Sequence, residues 1–150
     1  MKLYEVESEF EIAYRIASEA HKNQKDLSGD PYMNHINAVI ANVHGEKEKC
    51  VAALHDVVED YRDVWSLDRL RDEGISEEVV AAVDAMTKRP GEKYKAYLHR
   101  VKANALATAV KKEDIKNNMD LSRLQGKKEI KQVDLDRVNK YKNALKFLES

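Results

Sequence analysis

The stretch from Cys50 to Asp60, Cys-Val-Ala-Ala-Leu-His-Asp-Val-Val-Glu-Asp, constrains this chain more than any other. On a helix, side chains turn by about 100° per residue. Val51, Leu54, Val57 and Val58 then share one arc, while His55, Asp56, Glu59 and Asp60 share the other, with Ala52 and Ala53 leaving the polar side uncrowded. The aliphatic arc must be buried against other elements. The opposite arc places an imidazole among three acids that repel one another at spacings of three and four. A divalent cation would turn that repulsion into attraction, since imidazole and carboxylate are ligands that zinc, manganese and iron accept. Taken alone, the stretch is equally compatible with a solvated helix end and a packed core histidine.

The rest of the chain predicts what surrounds it. Ser8 and Glu11 have the spacing of a capping box, and Phe10, Ala13, Ile16, Ala17, Ala20 and His21 follow on one helical face. His21 reads as a core or supporting histidine rather than a ligand. Ser28-Gly29-Asp30-Pro31 is turn chemistry, and a helix beginning near Pro31 carries Tyr32, Ile36, Val39, Ile40 and Val43 inward. His35 lies on or beside that stripe, a ligand candidate or a hydrogen-bonded core residue. Gly45 is predicted to end this helix, and a single central helix to run from Glu46 to Asp60.

Ser66 is predicted to cap a short helix through Asp72 ended by Gly74, and Ser76 the next, with Val79, Val80, Val83 and Met86 inward. Residues 87–91 form a loop. Lys93 to Lys102 is predicted helical, with Tyr94, Tyr97, Leu98 and Val101 inward; His44 and His99 are surface residues. A longer helix spans Asn104 to Met119, with Ala105, Leu106, Ala109 and Val110 packing. Its Lys111, Asp114 and Asn118 share a face that is either simply polar or a second wall of a site, Asp114 directed at a cation. Gly126 breaks the chain, and Ile130, Val133, Val138, Tyr141, Leu145 and Leu148 form the stripe of a last helix. The expectation is a single all-α domain over residues 1–150, a compact bundle of seven to nine helices.

Composition narrows the function. Five Gly and two Pro in 150 residues leave little room for a turn-rich β fold. A net charge of -1, from 26 basic and 27 acidic residues, gives no electrostatic case for nucleic acid or membrane. The lone cysteine, Cys50, reads as a buried free thiol, so a disulfide framework is excluded. Lacking an apolar span or signal peptide, the protein is expected to be cytoplasmic. A homo-oligomer is left open.

Four blocks, in order, resemble the HD superfamily of metal-dependent phosphohydrolases, and within it the RelA/SpoT-type hydrolase domain and the small alarmone hydrolases. Ser28-Gly29-Asp30-Pro31-Tyr32-Met33-Asn34-His35 resembles the family's Ser-Gly-Glu-Pro-Tyr-x-x-His. Ala52 to Asp60 resembles Ala-x-Leu-His-Asp-x-x-Glu-Asp. Thr87-Lys88 matches a Thr-Lys pair, and Val110-Lys111-Lys112-Glu113-Asp114 with Asn118 resembles Val-Lys-x-x-Asp-x-x-x-Asn. The resemblance runs from about Ala17 to Leu124. It implies a divalent metal, typically manganese, held by His35, His55, Asp56 and Asp114. It further implies Glu59 and Asp60 as the catalytic carboxylates, and Ser28, Lys111 and Asn118 at the substrate. The implied reaction is hydrolysis of a nucleotide phosphoester or pyrophosphate, guanosine 3′,5′-bis(diphosphate) 3′-pyrophosphohydrolysis first. Two features depart from the pattern. Asp26 and Leu27 occupy positions where the family usually carries Arg-Lys, and Ile115-Lys116-Asn117 stands where it often has Arg-Leu-His. A different nucleotide or phosphomonoester, or a non-catalytic nucleotide-binding regulator, are the competing expectations. Synthetase activity is not expected, because no second domain follows the helical one.

Overall fold

The computed structural model describes residues 7–120 and 131–150. Nine helical segments are formed among them: α1 Glu9–His21, α2 Met33–Ala41, α3 Glu46–Leu54, α4 Val57–Asp60, α5 Leu67–Asp72, α6 Glu77–Met86, α7 Tyr94–Lys102, α8 Ala105–Met119 and α9 Gln132–Glu149. The fold is all-α, and among the described residues the only strand-like pairing is an isolated bridge between Lys25 and Pro31. Gly126, Ile130 and Leu124, invoked above, lie outside the described residues.

The caps explain where several helices begin. Ser8 and Glu11 form the reciprocal capping box, Ser66 accepts from the Arg69 amide, and Asn104 from that of Ala107. Ser76 sits at the cap position of α6 but does not cap. Its hydroxyl is taken by Lys47 and its amide by Glu9, so a Glu9–Lys47–Ser76 cluster joins α1, α3 and α6 instead. Gly45 does not end α2, which stops at Ala41. It starts α3, with φ +92 and ψ 150, a conformation open essentially only to glycine.

The core forms around α3, which is packed against α1, α2, α6 and α8. Cys50, Val51, Ala52, Ala53 and Leu54 are all fully buried, so the helix is enclosed on both sides and Cys50 is a buried free thiol. The aliphatic stripes of α1, α2 and α6 meet it as expected, and that of α7 packs against α6 and α8. Two inward assignments are corrected. On α8, Ala105 is exposed and Ala107 takes the buried place. On α9, Val133 is 57% exposed, and the inner face is Asp134, Ala144 and Leu148 with Tyr141 and Leu145 partly buried. Asp134 is there because its carboxylate accepts the Lys131 amide at the helix start. No helix among the described residues is long and apolar enough to cross a membrane.

The predicted helix from Glu46 to Asp60 is two. It breaks at His55 and Asp56, the latter at φ -108 and ψ -2, and resumes for one turn as α4. On an unbroken helix, neighbouring residues diverge by about 100° and cannot face one target. The break lets both side chains turn to the same point.

Candidate metal centre

Three elements deliver the four side chains that meet inside the bundle. His35 comes from the first turn of α2, His55 and Asp56 from the break after α3, and Asp114 from the third turn of α8. His35 Nε2 lies 2.9 Å from Asp114 Oδ1 and 3.9 Å from Asp56 Oδ2; His55 Nε2 lies 3.0 Å from Asp56 Oδ2 and 3.3 Å from Asp114 Oδ1. One donor atom from each of the four fits within 4.8 Å of all the others. Atoms bound about 2.0–2.6 Å from one divalent ion can be at most roughly 4–5 Å apart. The set predicted from scattered blocks is thus brought together.

The far side of each ring shows what the near side wants. His55 Nδ1 donates to the Ala52 carbonyl at 2.6 Å, and His35 Nδ1 donates to Asn117 Oδ1 at 2.6 Å. With the proton on Nδ1, a neutral ring turns a bare lone pair at Nε2 toward the carboxylates. Both Nε2 atoms are buried and have no hydrogen-bond partner, although oxygens lie within ion-pair distance. Two partnerless ring nitrogens and two carboxylates converge, and a cation in their midst would satisfy both nitrogens. Burial works against charge on His55, yet the Asp56 and Asp114 carboxylates outweigh it and raise its proton affinity well above the ordinary value. Burial likewise pushes Asp56 up, but the His55 ring holds its carboxyl at about 2. Asp114 is held well below the carboxylate range against burial, by Lys111 and then His55. The donor chemistry therefore fits a divalent metal, with nitrogen and oxygen ligands of the kind transition metals take.

The acids are further braced. Lys111 Nζ donates to Asp114 Oδ2 at 2.9 Å and Asn118 Nδ2 to Asp114 Oδ1 at 3.2 Å. Lys111, expected to meet substrate, is thus engaged with the Asp114 carboxylate. The Tyr32 hydroxyl donates to Asp56. Glu59 Oε1 accepts the Lys88 backbone N–H at 2.6 Å, which gives the Thr87-Lys88 block its place beside the site. Glu59 is raised above its ordinary value by burial and then by Asp56; Asp60 is raised by the same two causes. Asp60 Oδ2 accepts from Gln24 Nε2 at 3.1 Å.

A cavity of about 300 Å³ adjoins the centre. The loop from Lys25 to Ser28 forms one wall, Arg137 and Tyr141 of α9 another, and Tyr32 and Asn118, the residues bonded to Asp56 and Asp114, lie on the side nearest the centre. Ser28 thus lines the cavity as expected. Asp26, noted above as a departure from the resembled pattern, closes its own turn: its Oδ1 accepts the Ser28 and Asp30 amides at 2.9 and 3.0 Å. Leu27 is 70% exposed at the rim.

Sequence reasoning passed over Tyr32 as a partner of Asp56, Asn117 as the partner of His35, and Gln24. The signal for Tyr32 and Asn117 was present in the blocks themselves. Tyr32 is part of the motif that carries His35, and Asn117 follows Asp114 by three residues, on its helical face.

No protein-family model matches the chain. Its fold is that of a solved structure described as a metazoan ortholog of SpoT that hydrolyses ppGpp, with TM-score 0.74, 21% identity, and coverage of 96% of this chain and 86% of that one. In sequence it is similar to a GTP pyrophosphokinase of Streptomyces coelicolor, 34% identical over 84 residues, 53% of this chain and 10% of that protein. It is also similar to a guanosine-3′,5′-bis(diphosphate) 3′-pyrophosphohydrolase of Haemophilus influenzae, 36% identical over 77 residues, 49% of this chain and 11% of that protein. A GTP pyrophosphokinase of Brucella melitensis is 40% identical over 52 residues, 32% of this chain and 7% of that protein. The matched segments amount to about a tenth of those relatives' own length.

Proposed function

We propose that this protein is a metal-dependent phosphohydrolase acting on a nucleotide, with the 3′-pyrophosphate of a guanosine 3′,5′-bis(diphosphate) as its leading substrate. The observation that carries the reading is the meeting of His35, His55, Asp56 and Asp114 around two partnerless, buried Nε2 atoms. Similarity to relatives named for guanosine bis(diphosphate) hydrolysis supports the substrate. Manganese is the metal of choice, from the resemblance and from a mixed nitrogen and oxygen donor set. When bound, a divalent cation lowers the pKa of a water and polarises a phosphoryl oxygen.

The chain's own residues do the rest. Glu59, held by the Lys88 amide and made more basic by burial, accepts the proton of the attacking water. Asp60, held by Gln24, delivers a proton to the leaving oxygen. Asn118 and Ser28 on the cavity wall orient the nucleotide, and Arg137 and Lys25 face its phosphates. Lys111 keeps Asp114 ionised.

A second substrate class is favoured by one observation. The Asp26 carboxylate is tied into its turn and Leu27 is apolar, so those two loop positions present no cation to a polyphosphate. That favours a nucleotide with fewer phosphates. Kinetics on manganese-loaded protein, with guanosine 3′,5′-bis(diphosphate) against a panel of nucleoside phosphates, separate the two. Phosphate or pyrophosphate release from any of them separates a catalyst from a nucleotide-binding regulator. Asp56→Ala is expected to lose both metal binding, by elemental analysis, and turnover; full activity in that variant refutes the site.

A further inference from the structure

We infer that His21 and Gln24 form a relay that sets the position of the Asp60 carboxylate, a role that rests on the hydrolase reading for its catalytic consequence but not for its existence. His21 ends α1, is 1% exposed, and is no part of the four-residue cluster. Its Nδ1 lies 2.6 Å from Gln24 Oε1, and Gln24 Nε2 lies 3.1 Å from Asp60 Oδ2.

The two contacts fix each other's direction. Asp60 Oδ2 accepts from the Gln24 nitrogen, and the proton that Asp60 delivers sits on its other oxygen, so the Gln24 oxygen faces the ring. An amide oxygen can only accept, so His21 carries its proton on Nδ1. The chain of donors therefore runs one way, from imidazole to amide to carboxylate.

The main chain of Gln24 is held as firmly as its side chain. Its amide donates to the His21 carbonyl at 3.0 Å and its carbonyl accepts the Tyr32 amide at 2.9 Å. Tyr32 in turn donates its hydroxyl to Asp56. One residue thus ties Asp60 through its side chain and, through Tyr32, the carboxylate of Asp56 four residues away. The His21 ring is itself wedged between Tyr32 and Tyr61, with ring centroids 5.0 and 5.6 Å apart. A wedged ring has little rotational freedom, and it passes that restriction to the amide. Asp60 ends a one-turn helix, and Gln24 is the side chain that holds its carboxyl. His21 and Gln24 are positioning residues: they act through Asp60 and touch no reacting atom.

The test uses Gln24→Met, which keeps the length and removes the amide. Under the hydrolase reading, kcat is expected to fall about 10- to 100-fold with KM within a factor of about two, in line with a group that orients a proton-transfer residue. In an Asp60→Asn background the same substitution is expected to have no further effect, since the two form one unit. A fall in kcat that persists undiminished in that background, or a change confined to KM, overturns the relay. So does unaltered turnover in the single variant.

The second readout needs no activity. The ring 15N shifts of His21 are expected to report the Nδ1–H tautomer in the wild-type chain and a mixture in Gln24→Met. A ring already mixed in the wild type, or unchanged by the variant, overturns the relay even if the hydrolase reading stands. Conversely, a wild-type protein inactive on every nucleotide but showing the tautomer change keeps the relay and refutes the hydrolase reading. Should Gln24→Met fail to fold, His21→Asn, which keeps an N–H donor, is compared with His21→Phe, which does not. Equal kcat and equal Gln24 amide shifts in those two overturn the proposal.

Discussion

Asn117 shows how much one side chain outside the four-residue cluster can decide. Its amide oxygen takes the Nδ1 proton of His35 and so presents the bare Nε2 to the centre. Removing such a partner lets the ring rotate and change tautomer. Asn117→Ala is expected to weaken divalent-metal affinity by about 10- to 100-fold with helix content unchanged, the usual magnitude for a lost ligand support. Calorimetric titration of manganese checks it, and an affinity equal to the wild type would show that Asn117 does not orient the ring. Lys111 teaches the complementary lesson. From its spacing it could serve substrate or carboxylate. Its ammonium is buried beside Asp114, and an amine so placed is held there by the acid rather than free to meet a ligand.

At the scale of elements, the interruption between α3 and α4 matters most, because a continuous helix would send His55 and Asp56 in different directions. Upstream of it, α3 begins at Gly45. Gly45 makes the start possible at φ +92, and a Cβ there would meet nothing within 4 Å, so the whole penalty of a substitution is backbone strain. Gly45→Ala is expected to destabilise the fold by about 1–3 kcal/mol, the range for a non-glycine residue forced into that region. Urea unfolding measures it, and a loss under half a kilocalorie would show that α3 tolerates a different start.

Across the whole molecule, the centre depends on a brace some distance from it. Arg100 on α7 grips both Glu92 oxygens at 2.7 and 2.8 Å and the carbonyls of Asp84 and Thr87, which closes the loop between α6 and α7. That loop carries the Lys88 amide that holds Glu59. The Arg100 guanidinium, helped by the Arg89 amide, holds the Glu92 carboxyl at about 2, below its ordinary 4.5. A depressed carboxylate favours the folded state above the unfolded value and loses that contribution as pH falls through the folded one. The stability difference between the wild type and Glu92→Gln is therefore expected at neutral pH and to shrink as pH drops from about 4.5 toward 2. Denaturant midpoints measured across that interval test it; a difference independent of pH would assign the effect to packing.

Local rules made much of this protein legible. Helical periodicity marked the buried faces of α1, α2, α6 and α7, and side-chain caps marked the starts at Ser8 and Ser66, because both act over three or four residues. Ordered blocks named His35, His55, Asp56 and Asp114 together. Tertiary structure decided the rest. The partners that hold the site's groups stand 24, 36 and 82 residues from them, as Tyr32 with Asp56, Gln24 with Asp60 and Asn117 with His35. The blocks carry Tyr32 and Asn117, but no short-range pattern says which group each one meets. Nor does helical periodicity mark where the predicted helix parts, because His55 and Asp56 leave the helix to converge with His35 and Asp114, which come from other elements.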